Sequence, residues 1–205
     1  QEYNQLANVF LHVMKALDEN SLNSAFFSPG YFNINAERKI ADIVSANYGA
    51  VIYYTGGGYA DDIYISTLEK GSTPCVVIEG YLDHNDSNVN TVDIDNFHGA
   101  YAATKYLLEN GHVNPAHITF RSDRKWVAER KAGFKKAIED GGFRFNPASV
   151  YEVVDFVSDF STRFTSMPAE FWKSKHTAVF SASDELAECL DRMLVKEGKA
   201  VPEDV

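Results

Sequence analysis

The sequence predicts an α/β fold built on parallel strands, and three observations predict it. Strand-like and helix-like segments alternate along nearly all of the 205 residues, and parallel neighbours must be joined by crossover connections of this kind. GAVIYY reads as a buried strand, an apolar run entering a glycine-rich loop. The residues that directly follow strands are rich in aromatics, hydroxyls and charges, and ligands of open parallel sheets bind at those carboxyl ends.

Leu6, Val9, Phe10, Val13, Met14 and Leu17 recur at helical spacing, which predicts a helix ending near Glu19 and Asn20. Its apolar stripe is wide enough to serve both core contact and a second subunit. NSAFFSP then reads as a short strand, 36–47 as a helix, GAVIYY as a strand and 62–70 as a helix. PCVVIEG and NTVDI follow as strands, 96–110 as a helix, AHITF as a strand and 125–140 as a helix. SVYEVV, 163–173, TAVF and 184–197 supply strand, helix, strand and helix. Asp95 or Asn96 is placed to cap the helix after NTVDI, and Gly111 to end it in a left-handed conformation, with His112 closing the last turn.

Several functions are excluded. A net charge of −10 leaves no basic surface for nucleic acid, so any nucleic-acid contact belongs to another segment. The longest apolar runs are too short to span a bilayer, and a soluble protein is expected. Cys75 and Cys189 read as buried small hydrophobes, and the six histidines have no metal-ligand spacing, so neither a metal nor a cofactor is expected. Gly56 to Gly58 lack the spacing and the lysine of a phosphate loop and read as a turn. No nucleophile, base and metal constellation is visible, so no enzymatic turnover is expected.

TVDIDNFHGAYAATKYLLENGH (residues 91–112), AHITF, WVAERKAGFKKAIEDGGF and SASDELAECLDRMLVKEGKAVPEDV, in that order and spacing, resemble the effector-binding core of the LacI/GalR family of bacterial transcription regulators. The stretch from Tyr3 to Gly80 resembles the first half of that core more loosely. The resemblance implies a periplasmic-binding-protein-like, type I arrangement. Two parallel-sheet α/β subdomains, 1–94 and 95–205, would hold a sugar or similar small polar effector between them, hinged at Ile94, Asp95 and Asn96. It further implies a cytoplasmic homodimer that binds DNA through a helix-turn-helix domain outside this chain, an opening strand before Gln1, and return crossovers after Val205.

The same resemblance nominates site residues. Arg130 stands at the arginine of the RxxGF motif, where the planar fork would reach ring hydroxyls; its other reading is a surface ion pair with Glu129. Asp184 matches the aspartate of the DExA segment, with helix capping and ligand contact both open. Ser183 stands where many members carry asparagine, and Glu79 stands near an aspartate that often follows the family's PVVxV strand. Trp126 and Phe156 follow strands and offer faces for a sugar ring, core packing being the other reading. Tyr54, after GAVIY, is a weaker candidate. Two further readings share the fold: a solute-binding protein of a sugar transporter, and a ligand sensor fused to a signalling enzyme.

Overall fold

The computed structural model describes residues 2–27, 36–55, 61–79, 89–122, 124–153 and 166–205. The chain divides into two compact units, one made of Gln1–Gly49 and Gly56–Thr73, the other of Ala50–Thr55 and Pro74–Val205.

The first unit carries α1 (Glu2–Glu19), α2 (Ala36–Ser45) and α3 (Asp61–Lys70). Val9, Phe10, Val13, Met14 and Leu17 of the α1 stripe are each only half-buried, and Leu11 is 61% exposed. α2 packs on α3. The expected strand at NSAFFSP is not formed over residues 23–27. A strand needs a neighbour for its N–H and C=O groups. Here Ser21 turns the chain at φ 55°, Phe26 folds its ring edge-on against Phe10 at 4.8 Å, and the Ser24 hydroxyl meets the Met14 sulfur at 3.5 Å. Ser28 and Pro29 lie outside the described residues.

The second unit holds two separate parallel sheets. β1 (Val51–Tyr54), β2 (Cys75–Ile78) and β3 (Asn90–Val92) form one, in the order β1-β2-β3. In the other, β4 (Ala116–Phe120) lies between β5 (Val150–Val153) and β6 (Val179–Ser181). NTVDI and AHITF therefore serve different sheets, and the chain passes from one to the other by way of α4 (Asn96–Glu109). α5 (Lys125–Asp140), α6 (Ala169–Lys173) and α7 (Asp184–Lys196) complete the unit.

Every residue of β4 is buried, because both faces of the strand are covered. Ala116, Ile118 and Phe120 enter a core with Phe171 of α6 and with Leu186, Cys189 and Leu190 of α7. On the opposite face, His117 lies between Phe134 of α5 and Phe180 of β6, with ring centroids 5.2 and 4.8 Å away. The helix expected over 163–173 is shorter within the described residues: Ser166 to Pro168 are not helical and α6 starts at Ala169. Pro168 accounts for this, since a proline drives the residue before it out of the helical region.

α4 begins on Asp95, whose carboxylate accepts the His98 amide at 2.9 Å, and ends on Gly111 at φ 90°. The Gly111 and His112 amides close the last turn on the Leu108 and Leu107 carbonyls at 3.0 and 3.1 Å, as the spacing predicts. α4 lies against α5 at Gly133. A Cβ built there would stand 2.2 Å from the Phe97 carbonyl oxygen and 2.9 Å from the Tyr101 nitrogen. Among the described residues, no helix is long and apolar enough to cross a membrane, and no group of three or more histidine, cysteine or acidic residues is arranged to hold a metal ion.

Two expectations follow from this packing. Gly133→Ala gains helix propensity of about 1 kcal/mol, but the clash is with backbone, which no rotamer relieves. The net effect is expected to be a loss of about 1 to 3 kcal/mol, read as a lower urea midpoint at unchanged slope; an unchanged or raised midpoint would show that the helices do not meet this closely.

Burial pushes His117 down to about 4, against a raising hydrogen bond to the Phe180 carbonyl, and the Lys131 and Arg130 cations lower it further. The unfolded chain takes up this proton near pH 6.5 and the native protein only near 4. His117 therefore supports stability fully above about 6.5, and that support falls away as the pH drops towards 4, by roughly 3 kcal/mol in all. Urea midpoints across this window, compared with those of His117→Phe, should show that slope in the parent and lose it in the variant.

Candidate functional site

The nominated residues that the structure describes lie near the carboxyl ends of strands, in two groups. At the ends of β1 and β2, the Tyr54 hydroxyl donates to the Glu79 carboxylate at 3.1 Å, and the Thr55 hydroxyl donates to the Glu79 carbonyl. The Glu79 amide donates to the Val92 carbonyl at 2.9 Å, and Thr55 N–H to that of Ile78 at 3.1 Å. Glu79 adopts φ 57°, a left-handed conformation that costs a side-chain-bearing residue about 1 kcal/mol or more. Its backbone and carboxylate, directly after β2, are thus held by groups from the ends of the two flanking strands, β1 and β3. Thr55 is buried and takes part in the knot, though only its neighbour Tyr54 was picked out from the sequence.

The second group surrounds Arg130 on the first half of α5. Its Nε donates to the Asn96 side-chain oxygen at 2.9 Å, and its Nη1 donates to the Ala182 carbonyl. The guanidinium lies over the Trp126 ring, 4.8 Å from the centroid. Trp126 in turn meets Phe120, the last residue of β4, edge-on at 5.9 Å. Arg130 is therefore seated on an aromatic ring anchored in the core and held by the start of α4 and the passage from β6 to α7. Glu129, the ion-pair partner considered for it, lies 3.9 Å from Lys125.

Asn96, nominated as a hinge residue, also bonds back to the chain before it. Its side-chain nitrogen donates to the Ile94 carbonyl at 3.1 Å, and its own amide donates to the same carbonyl at 2.9 Å. Asp95 caps α4 and also meets the His98 ring at 2.8 Å; the His98 amide and ring together hold its carboxyl below the usual aspartate range. Ser183 caps α7 by accepting the Leu186 amide at 3.3 Å, and Asp184, the first residue of that helix, is exposed. Capping thus falls to the serine and not to the aspartate. Phe156 lies outside the described residues.

The structure brings Trp126, Arg130 and Asn96 into one cluster, with Ser183 next to the Ala182 carbonyl, and places Tyr54 and Glu79 together in another. The Ala182 carbonyl carries no side-chain signal, and the sequence offered nothing to find it. The link from Asn96 to Arg130 spans 34 positions, but the glycine one helical turn after Arg130 was a usable sign that another element approaches α5 there. Chemically, the Arg130 cluster is a fixed, planar, cationic donor near strand ends, suited to hydroxyl or anionic oxygen.

Residues 13–205 match the family described as periplasmic binding proteins and sugar binding domain of LacI family. The chain is 31% identical over 142 residues to the HTH-type transcriptional repressor PurR of Aliivibrio fischeri strain MJ11, covering 69% of this chain and 42% of that protein. It is 31% identical over 148 residues to the HTH-type transcriptional regulator CelR of Thermobifida fusca, covering 72% of this chain and 43% of that protein. A solved complex of the transcriptional regulator CelR with cellobiose superposes with a TM-score of 0.80 at 28% identity, over 97% of this chain and 59% of that one. The chain thus spans less than half the length of these two curated relatives, which are named as transcriptional regulators and not as enzymes. By the match over residues 13–205, the chain belongs to the LacI-type family of periplasmic binding proteins and sugar-binding domains.

Proposed function

We propose that this chain is the effector-sensing part of a cytoplasmic, LacI-type transcriptional regulator. It binds a small sugar, and the binding alters how a separate helix-turn-helix domain engages DNA. The observation that carries this reading is Arg130, held at strand ends by Asn96 and Ala182 over Trp126. A donor fork already fixed in direction loses little freedom when it meets a ring hydroxyl. Asp184, Ser183, Glu79, Tyr54, Trp126 and Phe156 complete the proposed contact set. Subdomains 1–94 and 95–205, hinged at Ile94 to Asn96, provide the closure. Among regulators and exported solute-binding proteins of this fold, the names of the curated relatives favour the regulator.

Calorimetry on the intact protein with cellobiose, ribose and glucose, and with a purine base as a planar non-sugar, tests the effector class; binding of the purine alone would replace the sugar reading. For whichever sugar binds, Arg130→Ala is expected to weaken affinity by roughly five- to more than a hundredfold, the cost of leaving buried hydroxyls without a donor. Arg130→Lys should recover only part, because the charge remains and the fork does not. Thermal melts must accompany both variants, since Arg130 also holds Ala182 and Asn96. Unchanged affinity in a folded Arg130→Ala protein would end the ligand role.

The proposed homodimer rests on α1, whose apolar stripe stays half-buried with Leu11 exposed. Sedimentation of the intact protein should show a dimer at tens of micromolar, on the order at which a weak regulator dimer is populated, and Leu11→Glu should shift it to monomer. Only monomer in the parent would remove the dimer from the proposal.

A further inference from the structure

We infer that Asn96 is a positioning residue: one side-chain amide sets the direction of the Arg130 fork with its oxygen and holds the end of the β3-to-α4 passage with its nitrogen. The consequence for sensing rests on the effector reading above; the positioning itself does not.

The hydrogen-bond chemistry admits only one arrangement. Arg130 Nε–H is a donor and nothing else, so the atom 2.9 Å from it must be the amide oxygen. The Ile94 carbonyl is an acceptor and nothing else, so the atom 3.1 Å from it must be the NH2. Both roles are needed at one position with one side-chain length. Aspartate supplies the acceptor without the donor, and alanine supplies neither. Asparagine carries its acceptor and its donor on separate atoms of one short side chain, where a serine or threonine hydroxyl has a single atom for both, and so it reaches the two partners at once.

The relay has two ends. From Ile94 it runs through Asn96 to Arg130, and from Arg130 to the Ala182 carbonyl, beside the serine that caps α7. Arg130 is thereby tied to two chain passages that lead into helices. Gly133, one turn further along α5, lets α4 come close enough for the Asn96 bond to form, since any side chain there would meet the Phe97 carbonyl. A ligand that turns the Arg130 fork must turn or release Asn96, and with it the second donor on the Ile94 carbonyl. Occupancy of the site and geometry of the passage are then one variable.

The test uses the intact protein without ligand, uniformly labelled with 15N, and reads hydrogen exchange of the Arg130 Nε–H; the signal is assigned by its absence in Arg130→Lys. In the parent the proton should exchange slowly. In Asn96→Ala it should exchange about tenfold faster or more, the loss of one partly buried hydrogen bond to a charged group. In Asn96→Asp it should stay slow, because the acceptor oxygen remains and a carboxylate is well placed at a helix N-terminus. Backbone amides of Asp95 to Phe97 should exchange faster in both variants, since both lack the donor to Ile94. A residue that merely supported folding would lower the melting temperature without separating alanine from aspartate at Arg130. Equal Nε–H exchange in parent and Asn96→Ala overturns the inference, as does fast exchange in Asn96→Asp.

Cellobiose titrations keep the two claims apart. If Arg130→Ala leaves sugar binding unchanged while the exchange pattern holds, the effector reading fails and the positioning stands. If Arg130→Ala weakens binding while Asn96→Ala alters neither binding nor exchange, the positioning fails and the effector reading stands.

Discussion

The close approach of α4 to α5 at Gly133 is the constraint on which the Arg130 cluster depends. A hydrogen at that position, where every other residue has a Cβ, lets the Phe97 carbonyl and the Tyr101 amide sit against the α5 backbone. Arg130 is one turn earlier on α5 and Asn96 is at the start of α4, so the same approach that packs the helices sets the reach between the two side chains. Replacing the contact by looser packing would leave each side chain present and the pair unmade. The motif that joins an arginine to a glycine three residues later thus combines a chemical group with the spacing that aims it.

Stability is given up nearby. His117 and Thr119 point to one face of the central strand β4, both fully buried, and neither the His117 Nε2 nor the Thr119 hydroxyl has a hydrogen-bond partner among the described residues. Since His117 Nδ1 meets the Phe180 carbonyl at 2.9 Å, Nδ1 carries the proton and Nε2 keeps its lone pair. Each orphaned group costs about 1 to 3 kcal/mol relative to a paired one, whereas valine or phenylalanine would cost nothing of the kind. Glu79 adds left-handed backbone at the ends of β1 and β2. A fold optimised only for stability would carry apolar side chains on that strand face and glycine at that turn.

What the sequence made legible follows from the range of the interactions. AHITF and the helix over 125–140 agree with β4 and α5 residue for residue, because a buried strand and an amphipathic helix are each written in consecutive positions. Gly111 was equally plain, its left-handed cap being a local matter. NSAFF failed as a strand because aromatic residues favour strands only where a neighbouring strand is available, and Phe26 found Phe10 instead. Ser183 and Asp184 are adjacent and both are capping residues, so composition could not say which takes the role; the extended backbone of Ser183 does. The Arg130 cluster was half visible. A motif named the arginine, while its seat on Trp126 is local to α5 and its bonds to Asn96 and Ala182 arise only from tertiary packing.

The two cysteines give the molecule a pair of internal clocks. Cys75 opens β2 in one sheet and Cys189 lies in the core that covers the other, both buried as free thiols. Burial also pushes the Cys75 thiol up to about 11, so it offers almost no thiolate while enclosed. A thiol reagent meets each sulfur only when its own neighbourhood opens. β3 has all three residues exposed and β4 has none, so the sheet bordered by β3 should breathe more often, and the two labelling rates would record separately the loosening of each layer.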